Sequence, residues 1–213
     1  MTGFQGKHDA QGGPHSGYGV ADVVAHHLGR SAGRSGNLHP AAHTLNAGVV
    51  GRPLGKWSLP ILSVAVAGDA GGANAVAPVI RRLLEMAGVT VTCQAYAAAV
   101  HLWDTAGFNP QPISQPDLGS CDRLLLGTSV NQDQWELQFI LEAKTRRIPS
   151  LCVLDGWINY RERFLFGDGR TVLPEVIAVM DEYACHAMLK EGIPSESLRV
   201  TGQPAFDDLV LFD

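Results

Sequence analysis

Several absences bound what this 213-residue chain can be. Its four cysteines, Cys93, Cys121, Cys152 and Cys185, lie far apart and form no Cys-x-x-Cys pair. Neither a zinc ligand set nor a disulfide framework is indicated, and a reducing cytoplasm is the expected location. No apolar run approaches the roughly 20 residues that span a bilayer, and the N-terminus lacks the apolar core of a secretory signal, so no transmembrane segment is expected. Acids are scarce at the start: residues 1–57 hold only Asp9 and Asp22 against five bases. Beyond residue 57 there are 11 bases against 19 acids. A body that acidic lacks the clustered Lys and Arg that displace counterions from phosphates, which argues against nucleic acid as a partner.

The first 57 residues carry half of the 24 glycines and six of the eight histidines. They read as a disordered extension with one short helical stretch near Val20–Leu28. His26, His27, His39 and His43 are of a type that binds transition metals, but scattered histidines in a polar tail are usually incidental, and no metal is expected. The remainder, residues 58–213, alternates short apolar runs with helical patterns. Ile61–Ala67 reads as a strand. Val76, Val79, Ile80, Leu83, Leu84 and Ala87 then fall on one helical face. Further strands are expected at Val89–Ala95, Arg123–Thr128, Ser150–Leu154, Glu175–Met180 and Leu198–Thr201, and further helices at 96–106, Asp133–Arg147 and Glu182–Glu191. Pro110, Pro112 and Pro116 mark an irregular connection. Such alternation implies an α/β, Rossmann-like, doubly wound parallel sheet with its ligand beyond the strand carboxyl ends.

Three stretches carry residues able to do chemistry. Gly68-Asp-Ala-Gly-Gly-Ala-Asn74 joins the first strand to the first helix. Gly68, Gly71 and Gly72 permit a tight turn and close approach of a ligand, and the following helix directs unpaired N–H groups and partial positive charge at it. The stretch is neither the dinucleotide pattern Gly-x-Gly-x-x-Gly nor a P-loop, so no NAD or ATP cofactor is expected. Asp69 can take a proton from a substrate hydroxyl or cap a backbone N–H. Asn74 is placed as a helix cap in the purely structural reading. Gly127-Thr128-Ser129, at another strand end, supplies hydroxyls to a ligand or forms an ordinary polar connection. Ser129 lacks the Gly-x-Ser-x-Gly elbow of a nucleophile. Asp155-Gly-Trp-Ile-Asn-Tyr-Arg-Glu-Arg163 brings a carboxylate to orient a hydroxyl, Trp157 and Tyr160 to stack on a sugar or base, and Arg161 and Arg163 to pair with phosphate or carboxylate. The alternative is a surface loop anchored by its aromatics.

The Gly-rich turn, the strand-terminal Gly-Thr-Ser and the ending Asp181–Asp207, with Gly-Ile-Pro and Thr201-Gly-Gln-Pro-Ala-Phe-Asp207, together resemble the N-terminal domain of GT-B-fold enzymes. That group includes lipid-A-disaccharide synthase and UDP-N-acetylglucosamine 2-epimerase. The resemblance covers about residues 60–210 and is carried most specifically by Gly202, Pro204 and Asp207. It implies a single GT-B half-domain, the acceptor side of a glycosyltransferase acting on a nucleotide sugar and a hydroxyl acceptor. The Gly-Thr-Arg-Pro-Glu loop of the epimerase is absent, yet an epimerase fragment remains an alternative, as does a stand-alone sugar- or nucleotide-binding module. The chain stops where a second domain begins in such enzymes, so the resemblance implies an inactive half that needs a second domain or subunit. On this reading Asp69 is the catalytic base, and Gly68, Gly71, Gly72, Asn74, Thr128, Ser129, Asp155, Trp157, Tyr160 and Arg161 line the substrate cleft.

Overall fold

A computed structural model describes residues 61–211 apart from Asn131. The expected extension over residues 1–57, its histidines and the boundary at residue 58 lie outside the described residues. Seven strands form one sheet: β1 (Ile61–Ala67), β2 (Val89–Ala95), β3 (Gln111–Pro112), β4 (Arg123–Leu126), β5 (Ser150–Val153), β6 (Val176–Val179) and β7 (Leu198–Val200). All pair in parallel in the order β3-β2-β1-β4-β5-β6-β7. The helices are α1 (Ala70–Leu84), α2 (Ala97–Thr105), α3 (Trp135–Arg146) and α4 (Glu182–Lys190). The expected α/β Rossmann-like doubly wound sheet is therefore present, and the order of strands reverses between β1 and β4.

Period-two alternation within the strands sorts the core into two layers. Val64 and Val66 of β1, Leu124 and Leu126 of β4, and Ile177 and Val179 of β6 pack with Phe139 and Ile140 of α3 and Met188 of α4. Ala65 and Ala67, Leu125, Val153 and Ala178 face the other way, toward Val76, Val79 and Ile80 of α1 and Trp103 of α2. Small alanines under α1 let that helix lie close to the sheet. Trp103, fully buried there, satisfies its indole N–H on the Ala73 carbonyl of α1 at 3.0 Å.

Some local expectations shift. Leu84 is half exposed and Ala87 lies beyond the end of α1, so the buried stripe ends at Leu83. The proline-rich connection contributes β3, a two-residue edge strand paired on one side only, Pro112 opposite Ala95 of β2, where a proline is tolerated. Asp69, not Asn74, caps α1: its Oδ1 accepts from the Gly72 N–H at 2.7 Å. Asn74 is an exposed residue within the helix. At the other end, Gln203 donates to the Leu154 carbonyl at 3.1 Å, and the 3-10 segment Pro204–Leu211 lies against α1.

Candidate functional site

The carboxyl ends of β1, β2, β4 and β5 meet above the reversal point of the sheet, where open α/β sheets place their ligands. The β1–α1 connection is only Gly68 and Asp69. Gly71 and Gly72, expected in a loop, are already in the first turn of α1. Each glycine is there for a different neighbour. A Cβ on Gly68 would overlap the Tyr96 ring, and one on Gly71 would overlap the Asp155 carboxylate. A Cβ on Gly72 would stand 2.8 Å from the Thr128 carbonyl oxygen, and one on Gly127 would stand 2.7 Å from the Gly72 Cα. The glycines therefore allow α1 to dock backbone-to-backbone on the β4 end and bring a carboxylate up against its first turn.

Asp155 lies at the centre of a buried polar knot. Its Oδ1 accepts from the Thr128 hydroxyl at 2.8 Å and from Arg163, and the same Arg163 nitrogen lies 2.8 Å from Thr128 Oγ1. Arg163 and Asp155 form an ion pair whose side chains are only 7% and 13% exposed. Of the two arginines expected at a ligand, Arg163 comes to this knot. Arg161 is exposed, its backbone N–H donates to Glu191 at 2.9 Å, and it lines a groove of about 470 Å³ with Lys144, Leu173 and Pro194 away from the cluster.

Asp69 is half-buried. Burial pushes its carboxyl above the usual value; the Gly72 N–H opposes this, the Asp155 charge adds to it, and Arg163 works against it. Its Oδ2 accepts no hydrogen bond from a described residue. Behind Gly68, Tyr96 lies 3.0 Å from the Ser129 hydroxyl and donates to Glu136 Oε2. Tyr96 is aimed by a strained turn, since Ala97 after it has φ +47. Glu136, in the first turn of α3, is 5% exposed, and burial holds its carboxyl above the ordinary range.

The cluster thus joins Gly68, Asp69, Gly71, Gly72, Thr128, Ser129 and Asp155. Other candidates fall outside it. Trp157 is 42% exposed, with its indole N–H donating to Asp181 Oδ2 at 2.8 Å. Tyr160 is packed into the core with its hydroxyl buried and without a partner, so its ring offers no stacking face to a sugar. Burial, first of all, pushes that phenol upward. Sequence reasoning missed Tyr96 and Glu136. Tyr96 was findable as the first residue after a strand; Glu136 carried no signal, because a glutamate in a first helical turn is ordinarily solvated.

With Asp69 and Asp155 set against the single guanidinium of Arg163, the edge carries no surplus positive charge. That balance suits neutral hydroxyls better than phosphate, despite the helix N-terminus. Among the described residues no His, Cys, Asp and Glu cluster has the form of a metal site, and no helix is long and apolar enough to cross a membrane.

No protein-family model matches the sequence, and no curated protein matches it. Solved structures do match. UDP-GlcNAc 2-epimerase from Neisseria meningitidis, bound to UDP-GlcNAc, aligns with a TM-score of 0.51 at 19% identity over 70% of this chain and 48% of that one. The fold is that of one GT-B half. The UDP complex of MnaA from S. aureus aligns with a TM-score of 0.53 at 17% identity, over 70% of this chain and 47% of that one. UDP-GlcNAc 2-epimerase from Methanocaldococcus jannaschii gives 0.52 at 16%, over 70% and 48%. This chain spans about half the length of the structures it matches, as expected for a single half-domain.

Proposed function

We propose that this GT-B half supplies the acceptor-side wall of a nucleotide-sugar-processing site and that a second Rossmann-like unit holds the nucleotide. The observation that carries the reading is the charge and openness of the β1/β4/β5 edge. A cavity adjoining it between Ser129 and Arg163 is about 30 Å³, room for a water and not for a sugar. A substrate would therefore lie on the open edge and need a facing wall. The carboxylates favour hydroxyl ligands there, leaving the diphosphate to the other unit.

In transfer, Asp69 Oδ2 would accept the proton of the acceptor hydroxyl as its oxygen bonds to the anomeric carbon and the nucleoside diphosphate leaves with the electrons of the broken bond. Burial raises the proton affinity of Asp69, which strengthens it as a base. Its Oδ1 stays on Gly72, so the base is fixed by the helix it caps. Asp155, held by Thr128 and Arg163, would orient a second hydroxyl, and Trp157 would offer its exposed ring to a sugar face. Gly68, Gly71 and Gly72 act here by allowing close approach, and Ser129 through Tyr96. A second reading, a fragment of a sugar-nucleotide 2-epimerase, is favoured by the activity named for the matched structures.

The test is to incubate the full chain with UDP-N-acetylglucosamine and a hydroxyl acceptor, following UDP release and sugar inversion. Negligible turnover is expected, with weak sugar binding that perturbs the backbone amides of Asp69, Thr128 and Asp155. Robust turnover by this chain alone would overturn the proposal. Tight binding by a stable monomer in calorimetry would favour a stand-alone binding module instead.

A further inference from the structure

Behind the proposed base lies a second acid that the transfer step does not use. Glu136 is buried in the first turn of α3, and its two oxygens have unequal surroundings. Oε2 accepts from the Tyr96 hydroxyl, whereas Oε1 is buried with no hydrogen-bond partner. An unpartnered buried carboxyl oxygen is costly unless something satisfies it. Beside it is the cavity of about 30 Å³, lined by Ser129, Gln134, Glu136 and Arg163 among others. That space is polar, of water size, and offers several partners.

The rest of the surroundings define what Glu136 does. The Tyr96 ring lies where a Cβ of Gly68 would be, its hydroxyl is 3.0 Å from Ser129 Oγ, and Ser129 follows Thr128, which holds Asp155. One carboxyl therefore fixes the residues after β2 and β4 and, through the Tyr96 ring, the turn that carries Asp69. We propose that Glu136 is the positioning residue of this edge, receiving Tyr96 on Oε2 and a single water from the adjoining cavity on Oε1. This rests on the reading of the edge as a sugar-facing wall, but its geometry does not require that reading.

The groups facing Glu136 are Tyr96 and Ser129, Asp69 from the α1 turn, Cys152 from β5, and Arg163 and Glu162 across the cavity. Burial is the largest influence and favours the neutral acid, the Tyr96 and Ser129 hydrogen bonds oppose it, and the Asp69 charge adds to it. In neutral form Oε1–H donates to the cavity water, which can also accept from Arg163.

The test uses the full chain labelled with ¹³C at glutamate carboxyl and tyrosine ζ carbons, titrated by NMR without substrate. One glutamate signal, absent from Glu136→Gln, is expected to titrate above the other glutamates. The Tyr96 signal, assigned with Tyr96→Phe, should move with the same midpoint. Tyr96→Phe should raise that midpoint further by removing a hydrogen bond to the ionised form, and Glu136→Gln should leave Tyr96 flat over the range. A Tyr96 signal that is flat in the parent chain, or that moves identically in Glu136→Gln, would overturn the proposal. Because no sugar is present, this outcome is independent of whether the edge binds one.

Discussion

Two strand-to-helix turns in this sheet are built alike and behave oppositely. After β1, Asp69 caps α1 through the Gly72 N–H at 2.7 Å; after β6, Asp181 caps α4 through the Ala184 N–H, also at 2.7 Å. Both aspartates sit at a helix N-terminus, which favours a carboxylate. Yet burial raises the Asp69 carboxyl, whereas the Ala184 N–H and then the Trp157 indole lower that of Asp181. The difference lies in what surrounds the turn. The glycines on either side of Asp69 are packed against Tyr96, Asp155 and Thr128, while Asp181, partly exposed, has the Trp157 indole beside it. A capping motif therefore fixes where a carboxylate points, and the packing around it decides whether its proton affinity rises or falls.

The sharpest way to break this contrast is to remove the cation that the buried turn depends on. Arg163→Met leaves Asp155 buried without its partner, for which a loss of roughly 3–5 kcal/mol is expected. Urea denaturation should register it as a large fall in midpoint, and an unchanged midpoint would mean that the knot contributes nothing. The next effect concerns the third helical residue of each turn. Gly72→Ala puts a methyl 2.8 Å from the Thr128 carbonyl oxygen, backbone that cannot swing aside, and a loss of about 1–3 kcal/mol is expected. Ala184 already carries that methyl at the equivalent place and is fully buried, so Ala184→Gly should cost only about 1 kcal/mol. Equal costs for the two would show that the crowding seen at Gly72 relaxes freely.

How far such contrasts were legible in the sequence follows from the same physics. Apolar periodicity marked six of the seven strands and all four helices, because burial against the sheet leaves a period that a chain cannot hide. β3 was missed since a two-residue edge strand has no period, and proline ordinarily speaks against a strand. The Gly-rich turn drew attention correctly, but its glycines read equally as ligand space or as packing space. Only the third dimension shows that Gly71 makes way for Asp155 and Gly72 for Thr128. Tyr160 and Arg161 looked like ligand residues by type, and nothing local distinguishes an aromatic that faces a cleft from one that faces the core. Glu136 was invisible for the complementary reason, since its burial is imposed by Tyr96, 40 residues earlier.

A smaller effect separates the two caps by pH. The folded carboxyl of Asp69 is raised above its ordinary 3.8, so its contribution to stability is full below that value and is lost as pH rises through the folded value. That of Asp181 is lowered, so its contribution is present above 3.8 and is lost as pH falls through the folded value. Asparagine caps about as well as aspartate. Asp69→Asn should therefore gain on the parent chain as pH rises through the acidic range, and Asp181→Asn should lose ground over the same range. Denaturation midpoints at several acidic pH values read the two slopes directly. Slopes of the same sign would dissolve the distinction between the turns.

The smallest expected effect lies at the exposed turn's own aromatic. Trp157→Phe removes the 2.8 Å hydrogen bond to Asp181 from a ring that is 42% exposed, and water replaces the lost donor at once. The change in stability should stay within about 0.5 kcal/mol. Tyr96→Phe removes one hydroxyl as well, but from a residue 7% exposed, and it takes the Tyr96 hydrogen bond from Glu136 Oε2 where no bulk water stands ready. Its cost should be the larger of the two, about 1–3 kcal/mol. If Trp157→Phe proved the costlier, the indole would be organising the β5 loop from outside, and the exposed turn would share the structural burden now assigned to the buried one.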